Sequence, residues 1–319
     1  MKFPVFDFHC DTALSLLGKN MNGEGSLRRN TGHIDLERAS GLDGYAQCFA
    51  CFTTPFMEQW NGVSPVTVFE RELAVLKKEF EANADLIRQA YSVADLRANL
   101  EAGKMSAVLT LEGTAGINYD ASRLEELYKT GFRVVSLGWN ESNPLTGSHR
   151  TGGGLTDKGR EFVREAQRLG FLVDVSHISD EGFWDIVKIT EGPVIATHSD
   201  ARAVWPESRN LTDDMFMAIC ETGGIAGFNF CAEFVGKDPD VDAACAHVLH
   251  FLELDPDCEH VALGGDLDGI ERMPRGFEGV QSFPVFAQRL QQLGATKLNV
   301  QDVFWNNALR VLEKAERKI

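Results

Sequence analysis

Short apolar segments alternate along the chain with longer amphipathic segments. The apolar segments are rich in β-branched and aromatic residues and are bounded by Gly, Pro or Asp, as buried strands usually are. Eight such segments are present: FPVFDF from Phe3, YAQCFACF from Tyr45, MSAVLTL from Met105, FRVVSLG from Phe132, FLVDVS from Phe171, PVIAT from Pro193, GIAGFNF from Gly224 and HVALGGD from His260.

The amphipathic segments between the strands repeat apolar residues at helical spacing. Thr212 or Asp213 is a typical start signal, and Gly170, Gly223 and Gly294 follow their segments as typical stop signals. Predicted helices begin near Val66, Leu124, Lys158, Glu181, Thr212, Val241 and Phe283, and a last one runs from Val300 to Lys318.

Eight strands that alternate with helices predict an α/β fold, a (β/α)8 TIM barrel that occupies residues 1–319 as one domain. A doubly wound open sheet would show the same alternation, and periodicity alone leaves it open. The Gly-rich segment SHRTGGGLTD, which begins at Ser148, is predicted to be a long loop at the active-site end of the barrel.

Composition narrows the possible partners and the cellular compartment. The 319 residues include 31 Lys and Arg against 47 Asp and Glu, and the resulting charge of −16 argues against binding to nucleic acid or to a membrane surface. Seven scattered cysteines favour a reducing compartment, and Cys48 and Cys51 in the apolar segment QCFACF are predicted to pack in the core. The sequence shows no signal peptide, transmembrane segment or lipid anchor, so we expect a soluble cytoplasmic protein.

Polar residues stand where the predicted strands end, and these ends meet at one mouth of a barrel. Each residue alone has a structural explanation, but imidazole and carboxylate groups gathered from four strands predict a site for zinc or a similar divalent ion. The polar residues at these ends are Asp7, His9 and Asp11 on the first strand, Glu112 on the third, His177 on the fifth, His198 on the sixth, and Asp266 and Asp268 on the eighth. Five of them, from four strands, are candidate ligands, and Asp7 is expected to lie inside the barrel without binding the ion.

An ordered set of segments that spans nearly the whole chain resembles the membrane (renal) dipeptidase family, the M19 metallopeptidases of the amidohydrolase-like barrels. No single segment is decisive, but the ordered set is specific. The matching segments are FDFHCDTAL from Phe6, LTLEGTAGI from Leu109, DVSHIS from Asp174, PVIATHSDARAV from Pro193, SRNLTDDM from Ser208 and GGDLDGI from Gly264.

The resemblance implies a site with two zinc ions. His9 and Asp11 would bind one ion, His177 and His198 would bind the other, and Glu112 would bridge them. A water shared by two such ions is acidified toward neutrality and can attack an amide carbonyl.

The resemblance also assigns residues to the substrate. Asp266 matches the carboxylate that acts as general acid and base, and Arg209 matches the residue that binds the terminal carboxylate. Trp139 stands where the family usually has a His that contacts the substrate, and His149, in the Gly-rich segment, is a candidate replacement. From the sequence alone, Arg209 could equally be a surface residue near the helix at Thr212.

The sequence therefore predicts a two-zinc hydrolase of dipeptides, including those with a D-residue at the C-terminal position. One alternative is a barrel amidohydrolase that acts on another small amide, an N-acyl amino acid or a lactone, because Trp139 reshapes the pocket. A second is a catalytically silent barrel that binds a small ligand. A homodimer is expected by analogy with similar folds.

Overall fold

A computed structural model of the chain describes residues 3–316. Its main sheet contains eight parallel strands that close on themselves, because the first strand pairs with both the second and the last, and the second also pairs with the strand at Met105. The predicted barrel is confirmed, and closure excludes the open sheet. In chain order the strands are β1 (Val5–Cys10), β2 (Tyr45–Phe52), β3 (Ile87–Gln89), β4 (Met105–Glu112), β5 (Phe132–Ser136), β6 (Thr146–Ser148), β7 (Gly152–Leu155), β8 (Leu172–Asp174), β9 (Val194–Ala196), β10 (Ile225–Phe228) and β11 (Val261–Leu263).

The barrel itself consists of β1, β2, β4, β5, β8, β9, β10 and β11, so all eight predicted strands belong to it. The short strand β3 is an addition that pairs with the start of β4. The segment from Ser148 differs from the prediction, because β6 and β7 form an antiparallel hairpin there instead of an irregular loop.

Helices cover the outside of the barrel, and Thr212 caps its helix by accepting a hydrogen bond from the Met215 N–H, as predicted. The predicted last helix is a π-helical turn over Asp302–Asn306 followed by a regular helix, and its final two residues lie outside the described range. In the described part of the chain, no helix combines the length and apolarity needed to cross a membrane. The α-helices are α1 (Thr12–Leu17), α2 (Leu36–Ala39), α3 (Met57–Asn61), α4 (Pro65–Ala82), α5 (Val93–Glu101), α6 (Leu124–Thr130), α7 (Asp157–Arg168), α8 (Asp180–Ile189), α9 (Asp213–Thr222), α10 (Ala232–Val235), α11 (Val241–Leu254), α12 (Phe283–Gln292), α13 (Lys297–Gln301) and α14 (Asn307–Glu316).

Two apolar clusters fill the molecule. One cluster takes residues from all eight barrel strands, such as Phe6 and Ile195, and is joined by Leu309 of α14. The larger cluster packs the outer faces of the strands against the helices. Cys48 belongs to the first cluster and Cys51 to the second, since residues three apart on a strand face opposite ways. Both cysteines are buried core residues, as predicted.

Candidate metal centre

Five buried side chains from four strands meet at the carboxyl end of the barrel. His9 lies in β1 and Asp11 directly follows that strand, while Glu112 is the last residue of β4. His177 and His198 come shortly after β8 and β9. The carboxyl ends of parallel strands lie at one end of the barrel, so these residues are close in space although they are far apart in the sequence.

Glu112 occupies the middle of this group. Its Oε2 lies 3.2 Å from Nε2 of His9, whereas its Oε1 lies 3.1 Å from Nε2 of His177 and 3.6 Å from Nε2 of His198. One carboxylate therefore divides the cluster into two halves: Oε2 faces the first half, formed by His9 and Asp11, and Oε1 faces the second half, formed by His177 and His198.

Hydrogen bonds fix the orientation of both histidines in the second half. Nδ1 of His177 donates to Oδ1 of Asn140 at 2.9 Å. Nδ1 of His198 donates to the Thr197 hydroxyl at 2.6 Å, and this hydroxyl donates onward to Asp174 at 2.7 Å. With the proton held on Nδ1, each ring presents its Nε2 lone pair to the cluster.

The two presented nitrogens suit a cation. Nε2 of His177 and Nε2 of His198 are 3.0 Å apart, although two lone pairs repel each other at that distance. Burial, together with nearby cationic side chains such as Arg209, holds the pKa of both histidines well below the ordinary value, so both rings are neutral near pH 7. Neutral imidazole is the form that binds a metal ion.

The first half also has free ligand atoms. Among the described residues, Nε2 of His9 and Oδ1 of Asp11 are buried without a hydrogen-bond partner. Nε2 of His9 lies 3.6 Å from Oδ2 of Asp11 and 3.9 Å from Oδ1 of Asp266. Asp7 lies behind this group and accepts hydrogen bonds from the backbone N–H groups of His9 and Gly265 at 3.0 and 2.8 Å. Unpaired buried polar atoms are costly unless a ligand completes them.

Burial also makes the central carboxylate hard to ionise. It raises the pKa of Glu112 to about 7, despite the opposing effect of His9. A divalent cation between Glu112 and the histidines would favour the ionised form. The site therefore fits a divalent ion in three respects: it offers imidazole and carboxylate donors, it contains buried polar atoms without hydrogen-bond partners, and its central carboxylate needs a nearby positive charge to ionise.

Asp266 reaches the cluster from the end of the last barrel strand. Its Oδ2 accepts a hydrogen bond from the Asn229 amide at 3.0 Å, and its Oδ1 points toward His9 and Asp11. Burial raises the pKa of Asp266, and the nearby Asp11 adds to this effect. A carboxyl group held beside the ligands in this way can exchange a proton with a bound molecule.

Backbone strain accompanies two of these side chains. His177 and Asp266 have φ angles of 69° and 57°, in the left-handed region that non-glycine residues rarely adopt. Such a residue costs about 1–3 kcal/mol and persists where the surrounding structure enforces it. The sequence gives no sign of this strain.

Arg209 is buried rather than a surface residue, since its exposed fraction is 3%. Nη1 donates to the Ser199 hydroxyl at 2.6 Å, but in the described structure Nε and Nη2 have no partner. The guanidinium carbon lies 5.7 Å from the ring centroid of Phe234. A buried guanidinium with free N–H groups is suited to bind an anion such as a carboxylate.

Trp139 contacts a member of the cluster directly, whereas His149 contacts residues beside it. The Trp139 ring lies against the candidate ligand His177, with centroids 6.1 Å apart. His149 contacts Asn140 Oδ1 at 2.8 Å and the Ser208 hydroxyl at 2.9 Å, so both of its ring nitrogens are occupied. It links the hairpin to the segment before Arg209, and its contact with a substrate stays a prediction.

The sequence interpretation did not include Asn140, Thr197 and Asn229, which orient His177, His198 and Asp266. All three are polar residues at or just beyond the ends of barrel strands. Their position in the sequence is therefore the same signal that identifies the ligands, but their amide and hydroxyl groups are ordinary in turns and did not stand out.

Comparisons with known proteins agree with this geometry. A sequence model of the membrane dipeptidase family (peptidase family M19) matches residues 1–318. An uncharacterized protein from the pqqA 5′ region of Klebsiella pneumoniae is 32% identical over 78% of this chain and 96% of that protein. An uncharacterized dipeptidase of Schizosaccharomyces pombe is 32% identical over 66% of this chain, which spans 54% of that relative.

Solved structures give the same result over the whole barrel. A metallopeptidase from Rhodobacter sphaeroides, bound to a phosphinate mimic of the dipeptide L-Ala-D-Ala, is 27% identical with a TM-score of 0.88 and covers 99% of this chain and 100% of that chain. A second structure, of a dipeptidase of family M19, is 28% identical with a TM-score of 0.86 and covers 99% of each chain.

Proposed function

This chain belongs to the membrane dipeptidase family, peptidase family M19, and is a metal-dependent hydrolase; on that premise we propose that it hydrolyses dipeptides at a centre with two zinc ions. His9 and Asp11 would hold one ion, His177 and His198 would hold the other, and Glu112 would be shared between them.

The observation that carries this proposal is the orientation of Glu112. Its two oxygens face different groups of ligand atoms at 3.1–3.6 Å. A carboxylate that serves only one ion, or a structural hydrogen bond, has no need for three imidazole nitrogens divided between its two oxygens. The family match adds metallopeptidase chemistry to this geometry.

Each part of the site has a task in amide hydrolysis. Zinc ions bound there would acidify a water and polarise the scissile carbonyl. Asp266, held by Asn229, takes up the proton of the attacking water and delivers it to the departing amine, which leaves poorly as an anion. The raised pKa of its carboxyl favours this exchange near neutral pH.

Arg209 supports a dipeptide as the substrate class. Its unpaired Nε and Nη2 form a fork that matches the free carboxylate of a short peptide. The Rhodobacter sphaeroides metallopeptidase binds a mimic of L-Ala-D-Ala, and we include dipeptides with a D-residue at the C-terminal position among the substrates.

Two substitutions separate metal binding from proton transfer. We expect His177→Ala and Asp266→Asn each to abolish hydrolysis of L-Ala-L-Ala and L-Ala-D-Ala, since removal of a proton-transfer group or a ligand costs about 10²–10⁴-fold or more. Only His177→Ala should lower the zinc content, measured by elemental analysis of the purified protein.

His250→Ala is a matched control, because His250 of α11 pairs with Asp213 of α9 at 2.8 Å, on the helices outside the barrel. It should keep both activity and zinc. Equal zinc in the wild type and in His177→Ala would remove His177 from the ligand set, and full activity in Asp266→Asn would end its role in proton transfer.

A further inference from the structure

Four aromatic side chains form a continuous surface beside the metal centre, which we call the aromatic wall: Phe52, Phe56, Trp60 and Trp139. Trp139 packs edge to face against Phe52 and Trp60, with ring centroids 5.2 and 5.6 Å apart. Phe56 stacks on Trp60 at 6.1 Å. Phe52 is the last residue of β2, and Trp139 follows β5 by three positions, so two separate loops build the wall.

The wall leads from the cluster of ligands out to solvent. Its inner member, Trp139, lies against the ligand His177. Its outer members remain uncovered, since Phe56 is 38% exposed and Trp60 is 54% exposed. Exposed aromatic surface next to a polar centre is typical of a binding site for an apolar group.

The position of the wall relative to Arg209 indicates which end of a substrate it meets. β2 is the second strand of the barrel and β9 is the sixth, so the loops that follow them lie on opposite sides of the mouth. Arg209 belongs to the loop after β9, whereas Phe56 and Trp60 belong to the loop after β2. A dipeptide whose carboxylate is bound by Arg209 would extend across the metal centre toward Phe56 and Trp60.

We propose that the aromatic wall is the specificity site for the side chain of the N-terminal residue, and that it selects a large apolar or aromatic side chain. This inference rests on the proposed dipeptidase function. The wall offers faces and edges of rings, which bind another aromatic ring in offset or edge-to-face contact. Trp60 and Trp139 are its main determinants.

A basic side chain is the competing occupant, because Glu141 lies two residues after Trp139 and a cation can also stack on aromatic rings. Burial raises the pKa of the Glu141 carboxyl, with partial compensation by the Thr54 hydroxyl. The exposed part of the wall consists of the rings of Phe56 and Trp60, and this apolar surface favours the apolar occupant.

The test compares kcat/KM for L-Phe-L-Ala, L-Ala-L-Phe, L-Lys-L-Ala and L-Ala-L-Ala with the zinc-loaded enzyme. We expect L-Phe-L-Ala to be preferred over L-Ala-L-Ala by about tenfold or more, the discrimination that a large apolar contact provides. Trp60→Ala should remove most of this preference and affect L-Ala-L-Ala much less. Trp184→Ala is the matched control, since Trp184 is 44% exposed on α8 and lies outside the wall; it should keep the preference.

Binding separates this inference from the proposed function. Titration calorimetry with phosphinate mimics of L-Phe-L-Ala, L-Lys-L-Ala and L-Ala-L-Ala measures recognition without turnover. Tighter binding of the Phe mimic that depends on Trp60 supports the wall even if every dipeptide resists hydrolysis, a result that would contradict the proposed function alone. Equal affinity for the Phe and Ala mimics, tightest binding of the Lys mimic, or no binding of any mimic would overturn the wall.

Discussion

The Asn140 amide fixes the tautomer and the ring orientation of His177, a candidate metal ligand. Its Oδ1 accepts from Nδ1 of His177 and from Nε2 of His149, at 2.9 and 2.8 Å. The first bond holds His177 in the tautomer whose Nε2 faces Glu112. Without it, His177 could rotate or place its proton on Nε2, where it blocks a metal ion.

Asn140→Ala should therefore weaken zinc binding by roughly 10–100-fold, the usual effect of losing a group that orients a ligand. The measurement is competition between the protein and a chelator of known affinity. Asn140→Asp is the control, because it keeps an oxygen acceptor at the same place and should bind zinc nearly as well as the wild type. Equal losses in both variants would show that the amide acts through packing rather than through its acceptor.

At the scale of single residues, the sequence predicted the side chains with distinctive chemistry and missed those with ordinary chemistry. His9, Glu112 and His198 were expected at one mouth, and one potential ligand atom from each lies within 4.8 Å of the other two. Asn229 carries the same positional signal, but an Asn beyond a strand is common for reasons unrelated to catalysis. The roles of the individual ligands remain predictions.

Among the elements, the close packing of β2 against β4 places Glu112. Gly113 follows Glu112 with φ of +72°, and a Cβ atom there would lie 2.1 Å from the carbonyl oxygen of Thr53. The backbones of the two strands approach so closely that only glycine fits. The position of the central carboxylate thus depends on a residue with no side chain.

Gly113→Ala should destabilise the fold by about 3 kcal/mol, from left-handed strain together with overpacking against Thr53. Gly103→Ala isolates the first contribution, since Gly103 has φ of +65° and nothing within 4 Å of its Cβ position; we expect it to cost about 1 kcal/mol. Urea unfolding of both variants provides the comparison. If the two losses are equal, the contact with Thr53 has no energetic consequence.

The sequence predicted the elements well where they are long and apolar. Every barrel strand was predicted from a short β-branched or aromatic segment. The hairpin of β6 and β7 was missed because Gly152–Leu155 carries three glycines and no alternation of apolar residues. The three-residue strand β3 is too short to leave a pattern.

For the whole molecule, closure of the barrel arranges the eight strands around a ring in the order of the sequence, so strands that are distant in sequence end at the same mouth. It brings candidate ligands from β1, β4, β8 and β9 together and sets the loop of Arg209 opposite the loop that carries Phe56 and Trp60. Alternation of strands and helices predicted the architecture, but closure itself became visible only in the strand pairing, because β2 pairs with β1 on one side and with β4 on the other. The cytoplasmic location and the homodimer stay predictions.

Anomalous diffraction at the zinc absorption edge would show whether two ions share the buried carboxylate of Glu112. Crystals grown with zinc should show two strong anomalous peaks that flank Glu112, one beside His9 and Asp11 and the other beside His177 and His198. A single peak, peaks remote from Glu112, or no peak at saturating zinc would show that Glu112 is not shared by two zinc ions.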